Sequence, residues 1–321
     1  MSGLLERIGV ELPVVQAGMG GGIARGELAA AVSEAGGLGT IGILSPPALA
    51  QGLAKARQRT NKPIAVNLLL NLARAGHWEA ARDADVVVTF WGMPRRRSEN
   101  TWLHQCGSVE EAQAARAAGA DGVIVQGVEA GGHVRGTTRA LDLLRATREA
   151  LPDGYPLLLA GGIADAADVR RALDAGAEAA VLGTRFLMSE ESGARNAYKQ
   201  RLMEARETVL TELFGLGWPD ATHRVIWNEA TERWLAKDRR GPGWVRMANR
   251  VTGPALSRLP DSWQGGALRR QRTSIPFLSP QPATDMAPKN LLDSGPLYAG
   301  ETVARIHDIR PAAELVRELA A

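Results

Sequence analysis

The sequence contains few of the residues on which several classes of site depend. Cys106 is the single cysteine in 321 residues, which excludes an intrachain disulfide and a zinc site built from several cysteines. The net charge is only +3, which is too small to indicate nucleic-acid binding. Short arginine runs at 95–97 and 269–272 are typical of a solvated surface. The sequence therefore predicts neither a metal centre nor a nucleic-acid partner.

Long apolar segments are absent as well. No apolar run reaches the roughly 20 residues that cross a bilayer. The first residues, MSGLLERIGVELP, do not have the basic and then apolar pattern of a signal peptide. We therefore expect a cytoplasmic protein that makes no membrane contact. A hydrophobic content of 45% is instead typical of a globular protein with a sizeable core.

Eight short apolar runs alternate with helical patterns along the first 190 residues. Such runs are typical of parallel strands that are covered on both faces. They lie at 13–19, 38–44, 63–70, 85–92, 101–107, 122–127, 156–162 and 179–186. The connection at 93–100 is too short for a full helix. Eight strand–helix units predict an α/β fold, a closed (β/α)8 TIM barrel, and a doubly wound open sheet is the alternative.

The composition changes after the eighth strand. Residues 188–289 begin with a helical pattern, ARNAYKQRLMEARETVLTELF, and continue with Trp-, Arg- and Pro-rich sequence. We predict an inserted, mainly helical subdomain here, placed to act as a lid. The barrel then comprises 1–187 and 290–321, and the terminal RPAAELVRELAA supplies its delayed eighth helix. Trp227 and Trp234 are seven residues apart, which predicts one helical face that packs on the barrel.

Glycine and polar residues are concentrated where the predicted strands end. In a barrel these ends converge on one mouth, which holds the active site. The positions are Gly18, Met19, Gly20, Asn67, Gln105, Gln126, Gly131, Gly132, Gly161, Gly162, Gly183 and Thr184. The glycines after strands seven and eight match a phosphate site. The first glycine cluster does not have the dinucleotide-binding spacing, but it leaves room for a flat ring beside Met19. FMN satisfies both requirements.

One histidine follows the sixth strand, in VIVQGVEAGGHVRG. The two glycines before His133 keep space open beside an imidazole whose ordinary pKa of about 6.5 suits proton transfer at neutral pH. The other histidines are weaker candidates, since His77 and His223 are expected on surface helices and His104 lies within strand five. Cys106 has no apparent histidine partner, so we interpret it as a buried apolar residue.

Several segments together resemble the nitronate monooxygenase family, formerly called 2-nitropropane dioxygenases. They are PVVQAGMGGGIARGELAAAVSEAGGLGTIG, VNLLL, QGVEAGGHVRG, LLAGGIADAADVRRALDAGAEAAVLGTRFL and PLYAGE. The resemblance implies a barrel that binds FMN through the strand-end residues named above except Gly132, with His133 as the catalytic base. It also implies oxidation of alkyl nitronates or nitroalkanes with O₂ to a carbonyl compound and nitrite. Gln105 departs from the lysine of some members, and its neutral amide would stabilise an anionic reduced flavin less.

Two other functions remain open. Flavin-dependent enoyl-acyl carrier protein reductases have a very similar glycine–histidine loop and accept a hydride from NAD(P)H, and other relatives of the barrel act on acyl-CoA intermediates. The third hypothesis is a flavin-binding protein without catalysis, and the open loop at His133 argues against it. The expected partners are a small-molecule substrate with O₂, or with NAD(P)H in the reductase alternative. A homodimer is one option for assembly.

Overall fold

The computed structural model describes residues 3–256, 266 and 268–321, which group into two compact units. Unit 1 comprises Met1–Ala130, Arg135–Gly193 and Asp308–Ala321, and unit 2 comprises Gly131–Val134 and Ala194–His307. The predicted insertion includes 257–265 and 267, which lie outside the described residues. Unit 2 is thus built from two stretches of chain, and the shorter stretch carries His133.

Unit 1 contains a barrel of eight parallel strands. They are β1 (Val14–Gln16), β2 (Gly39–Ile41), β3 (Ile64–Leu69), β4 (Val86–Phe90), β5 (Thr101–Cys106), β6 (Gly122–Gln126), β8 (Leu157–Ala160) and β9 (Ala179–Leu182). Their order in the sheet is β1-β9-β8-β6-β5-β4-β3-β2. Each strand lies within one of the eight apolar runs, so all eight predicted strands are confirmed.

Hydrogen bonds between the first two strands close the barrel. The Gln16 N–H donates to the Leu38 carbonyl at 2.9 Å, and the Leu38 N–H donates to the Val14 carbonyl at 3.0 Å. In an open sheet these two edges would not pair with each other. The TIM barrel prediction is therefore confirmed, and the doubly wound alternative is wrong.

Alternate residues of the strands belong to two different apolar clusters. One cluster draws residues from seven of the strands, such as Val15, Leu103 and Ile124, and includes Leu38, which directly precedes β2. The other combines the intervening strand residues, such as Trp102 and Val123, with apolar residues of the surrounding helices. Since side chains alternate across a strand, the first cluster fills the barrel interior and the second lies between barrel and helices.

Helices surround the barrel strands of unit 1. Their bounds are Leu4–Arg7, Gly26–Glu34, Pro46–Arg57, Ala75–Ala80, Val109–Ala117, Ala140–Ala150, Ala166–Asp174, Thr184–Leu187 and Ala312–Leu319. The last helix buries Leu315 and Val316 in the outer cluster, which confirms the delayed eighth helix. Among the described residues, β4 and β5 are joined without a helix, as predicted. No helix in the described part of the chain is both long and apolar enough to cross a bilayer.

A buried hydrogen-bonded chain joins β4 and β5 on the outer side of the barrel. The Trp102 indole N–H donates to the Thr89 hydroxyl at 2.7 Å, and that hydroxyl lies 2.8 Å from Nδ1 of His104. The Thr89 hydroxyl can accept from the indole and still donate its proton to Nδ1 of a neutral imidazole. Burial lowers the pKa of His104 to about 4, since water does not solvate the charged form.

Acidification should destabilise the barrel through His104. Between pH 6.5 and about 4 the unfolded chain binds a proton that the folded protein excludes, so stability falls as the pH falls, by at most roughly 3 kcal/mol for this group. The variant His104→Gln keeps an acceptor for Thr89 but has no proton to gain. Urea unfolding at pH 7 and pH 4.5 should show a smaller loss for this variant than for wild type or for the exposed-site control His307→Gln. An equal loss in all three proteins would contradict the assignment.

Unit 2 contains a small antiparallel sheet and several helices. The sheet has the order β10 (Val209–Thr211), β11 (His223–Val225), β7 (Gly132–His133). The helices are Asn196–Glu204, Glu229–Leu235, Gly243–Leu256, Leu291–Ser294 and the 3₁₀ segment Glu301–Arg305.

Two sequence predictions for unit 2 are wrong. The helical pattern that begins at 194 ends as a helix at Glu204, and its later part forms β10, where the β-branched Val209 and Thr211 favour a strand. Trp227 and Trp234 do not share a helical face. Asn228 caps the helix Glu229–Leu235 by accepting a hydrogen bond from the Thr231 N–H at 3.1 Å, so Trp227 precedes that helix.

Candidate active site

The polar residues predicted at the barrel mouth lie on the inner side of their strands. Each follows an interior apolar residue by two positions, and alternation along a strand places both on the same face. The pairs are Ala65 with Asn67, Leu103 with Gln105, and Ile124 with Gln126. Unit 1 thus brings these three side chains to the carboxyl-terminal halves of β3, β5 and β6, and Gly183 directly follows β9.

The end of β1 lies close to the end of β3. A Cβ atom on Gly18 would be 2.3 Å from the Cβ of Asn67 and 3.2 Å from the Cγ2 of Thr40, so only glycine fits there. Thr40 is 1% exposed, and among the described residues its hydroxyl has no hydrogen-bond partner. A buried hydroxyl without a partner is costly. It is the kind of group that a bound ligand would satisfy.

The glycine pair after β8 has an unusual backbone conformation. Gly161 and Gly162 have φ angles of +106° and +74°, which side-chain-bearing residues rarely adopt. The helix that follows is already capped, because Asp165 accepts from the Asp168 N–H at 3.0 Å and Asp168 accepts from the Ala164 N–H at 2.9 Å. An anion at this strand end would therefore be bound by the glycine backbone rather than by the first turn of the helix.

A side chain at Gly183, directly after β9, would project into open space. A Cβ atom on Gly183 would have a single neighbour within 4 Å, the Cβ of Ala17 at 3.8 Å. Its φ of −99° and ψ of −70° suit any residue. Thr184 begins a short helix, Thr184–Leu187, directly after it. Nothing in the packing of unit 1 requires glycine at 183, so the empty space is available to a ligand.

His133 lies in unit 2, among aromatic rings. It is paired in register with His223 of β11, and the indole of Trp218 stacks on its imidazole with 4.0 Å between ring centroids and 19° between planes. The His223 and Tyr298 rings are at 5.4 Å and 5.5 Å. Burial, and to a smaller extent His223, lowers the pKa of His133 well below its usual value. The imidazole is therefore neutral at pH 7 and able to accept a proton.

His223 is a buried strand residue, and its prediction as a surface-helix residue is wrong. Its Nδ1 lies 2.8 Å from the Ala221 carbonyl, and its Nε2 accepts from the Phe214 N–H at 3.4 Å. Since a carbonyl can only accept, Nδ1 carries the proton and the ring is fixed in one neutral tautomer. Burial lowers its pKa to about 4. With both nitrogens bonded to backbone, His223 supports the site rather than exchanging protons.

The remaining predicted residues differ in how the structure accounts for them. A Cβ on Gly131 would lie 2.5 Å from the backbone at Ala299 and Gly300, so packing within unit 2 explains that glycine. Cys106 is fully buried and its pKa is raised by burial, which makes it a poor nucleophile. Among the described residues there is no group of His, Cys, Asp and Glu that could hold a metal ion.

Sequence reasoning did not identify Thr40, Trp218, Tyr298 or the supporting role of His223. Thr40 had a detectable signal, because it follows the interior residue Leu38 by two positions, as Asn67 follows Ala65. Trp218 and Tyr298 lie outside regular strands and helices, and they reach His133 through contacts between residues distant in sequence. No local pattern indicates such contacts.

Comparison with known proteins gives one consistent family. The family model described as NMO, nitronate monooxygenase, matches residues 2–93 and 93–321. The nitronate monooxygenase of Pseudomonas aeruginosa is 33% identical, over 64% of this chain and 74% of that protein. A (3aS,4S,5R,7aS)-5-hydroxy-7a-methyl-1-oxo-octahydro-1H-indene-4-carboxyl-CoA dehydrogenase of Mycobacterium tuberculosis is 32% identical, over 72% of this chain and 67% of that protein.

Solved structures agree with the sequence matches. FabK from Thermotoga maritima aligns with a TM-score of 0.77 and 26% identity, over 98% of this chain and 94% of that chain. Nitroalkane oxidase from Streptomyces ansochromogenes aligns with a TM-score of 0.73 and 28% identity, over 99% and 97% of the two chains. Because the family model covers nearly the whole sequence, this chain belongs to the nitronate monooxygenase family of oxidoreductases.

Proposed function

We propose that this protein is an FMN-dependent oxidoreductase that oxidises alkyl nitronates and nitroalkanes with O₂ to a carbonyl compound and nitrite. The observation that carries the proposal is the His133 imidazole, which stacks on the Trp218 ring and is neutral because burial lowers its pKa. A neutral imidazole is the form that can remove a proton. The family to which the chain belongs supports the same chemistry.

His133 would act on the carbon that bears the nitro group. The imidazole takes the proton from this carbon, and the electron pair of the broken C–H bond moves onto the nitro group to give the nitronate. A preformed nitronate needs no such step, so it would enter the reaction without the base. His223 cannot replace His133 in this role, because backbone groups bond both of its nitrogens.

The residues at the strand ends of unit 1 fit a flavin in two respects. The buried Thr40 hydroxyl has no partner among the described residues, and the space beside Gly183 is open. The residues that would hold FMN are Gly18, Met19, Gly20, Thr40, Asn67, Gln105, Gln126, Gly161, Gly162, Gly183 and Thr184. FMN, when bound, would accept electrons from the nitronate and pass them to O₂. The amide of Gln105 would then orient the ring without adding a charge.

Product analysis tests the proposal. The purified protein, loaded with FMN, should consume O₂ and release nitrite when given an alkyl nitronate such as propyl-2-nitronate. Matched reactions should contain free FMN alone, or protein with the nitronate under argon. Nitrite at the level of the free-FMN control would contradict the proposal. If the protein also turned over no other electron donor, it would instead be a flavin-binding protein without catalysis.

A second candidate is an oxidoreductase of acyl-CoA thioesters, including the NAD(P)H-dependent acyl reductases. Residues 237–272 contain nine Lys and Arg against two Asp and Glu, and Arg239, Arg269, Arg270 and Arg272 are exposed. Such a charge favours a ligand with several phosphate groups, as in coenzyme A. One similar relative is a carboxyl-CoA dehydrogenase. Flavin reduction by NADPH, followed by reoxidation by an enoyl-CoA, would favour this candidate over nitronate oxidation.

A further inference from the structure

Trp218 is the aromatic ring nearest to the His133 imidazole. The His223 and Tyr298 rings meet His133 at 60° and 48°, with centroids at 5.4 and 5.5 Å. Trp218 lies nearly parallel to the imidazole, at 19° and 4.0 Å. A cation over the face of an indole is attracted by the electron-rich ring, and Trp is the best residue for this contact. The indole face is therefore placed to stabilise an imidazolium when His133 takes a proton.

We propose that Trp218 is a positioning residue for the base: its indole face fixes the plane of the His133 ring and stabilises the imidazolium that forms when His133 takes a proton. The inference rests on the proposed function in that it gives His133 the role of base. It also gives Trp218, which does not itself exchange protons, a specific task in the reaction. Trp218 thus acts on the reaction through His133.

The loop between β10 and β11 holds Trp218 in place. The Trp218 N–H donates to the Gly215 carbonyl at 3.0 Å, and the Leu216 N–H donates to the Leu278 carbonyl at 3.1 Å. Two residues further on, Asp220 has a φ of +58°, and both of its carboxylate oxygens accept from Arg250, at 2.5 and 3.0 Å. Trp218 is only 8% exposed. Its ring is therefore fixed against His133 rather than free to turn into solvent.

Two titratable side chains are in ring contact with His133, and both are uncharged. His223 of β11 is neutral, as its backbone hydrogen bonds require. Tyr298 is neutral as well, since burial raises its pKa. Arg224, the next residue of β11, pairs with Glu301 at 3.0 Å. Of the rings that contact His133, the indole of Trp218 is the nearest and the most nearly parallel, so it favours a positive charge on the imidazole most strongly.

Effects of opposite sign act on the proton affinity of His133. Burial, and to a smaller extent His223, lowers the pKa, mainly because the imidazolium loses its hydration. The indole face opposes this effect by about 0.4–1.5 pKa units.

The test is an NMR titration of the His133 ring in variants of Trp218, with the His133 signal assigned by its absence in His133→Asn. Trp218→Leu should lower the pKa of His133 by about 0.4–1.5 units, and Trp218→Phe should lower it less. Tryptophan fluorinated on its benzo ring, introduced at position 218, keeps the shape but weakens the electron-rich face. Stepwise fluorination should lower the pKa stepwise. Trp234→Phe, in the same unit, should leave it unchanged.

Two outcomes would overturn the inference. An unchanged pKa in the fluorinated series would show that the indole face does not act on the imidazolium. A rise in pKa in Trp218→Leu and in the fluorinated proteins would mean that Trp218 acts by excluding water. The titration needs no substrate, so it remains decisive even if no nitroalkane is turned over. Where turnover is found, the pH profile of kcat/KM for a neutral nitroalkane should have an acid limb that shifts with the measured pKa of His133.

Discussion

Replacing His133 with asparagine is expected to lower kcat/KM for neutral nitroalkanes by about 100- to 10,000-fold, the usual contribution of a general base. Asparagine preserves a polar side chain on β7 but cannot take the proton from carbon. Preformed nitronates require no deprotonation, so their oxidation should fall much less. The FMN content should not change, because the strand-end residues of unit 1 are untouched. Steady-state kinetics with each nitroalkane and its nitronate, at a fixed O₂ concentration, measure the difference.

The matched control is His307→Asn, which changes an exposed histidine of the same unit and should leave both activities unaltered. An equal loss on the nitroalkane and the nitronate would contradict proton abstraction by His133. That outcome would leave open a role in binding both substrates. A normal rate with the neutral nitroalkane would remove His133 from the reaction altogether.

Replacing Gly183 with valine should weaken FMN binding by roughly 10- to 100-fold, the effect of forcing a side chain into occupied space. The same change should alter the stability of the apoprotein by no more than about 1 kcal/mol. The backbone conformation at Gly183 suits any residue, and a Cβ atom at this position would meet no atom closer than 3.8 Å. Fluorescence titration with FMN gives the dissociation constant, and thermal unfolding without FMN gives the stability.

Gly243→Val provides the control for the added side chain. A Cβ at that position has its nearest neighbour at 3.9 Å, and it lies at the start of a helix in unit 2. This variant should bind FMN like wild type. Unchanged FMN affinity in Gly183→Val would mean that the end of β9 is not part of the flavin site. Loss of stability without FMN would instead show that the space at Gly183 is needed by the fold.

The barrel could be predicted from sequence because its signals are local. Each strand is a short apolar run that is largely buried, and helices separate most of the runs. Two of these helices, Val109–Ala117 and Ala166–Asp174, are capped by Ser108 and Asp165. The same reasoning predicted Asn67, Gln105 and Gln126 at the mouth, and the structure has them on the inner face of their strands, two positions beyond an interior residue. Thr40 obeys the same rule, since it follows the interior residue Leu38 by two positions.

The surroundings of His133 could not be predicted in this way. β7 has only two residues, Gly132–His133, and it pairs with β11 some ninety positions later in the chain. Short strands that are stabilised by distant partners leave little periodicity in the sequence. The misassignment of His223 to a surface helix has this cause, since its pairing with Thr211 of β10 and His133 of β7 shows that it is a buried strand residue.

The most direct test of the account is an anaerobic spectrum of the FMN-loaded protein. An alkyl nitronate should bleach the visible absorbance band of the flavin, and NADPH in a parallel cuvette should not. Admitting O₂ to the first cuvette should restore the band and release nitrite. Bleaching by NADPH but not by the nitronate would contradict nitronate oxidation and favour the acyl reductase. Failure to retain any FMN would contradict the assignment of the barrel strand ends as a flavin site.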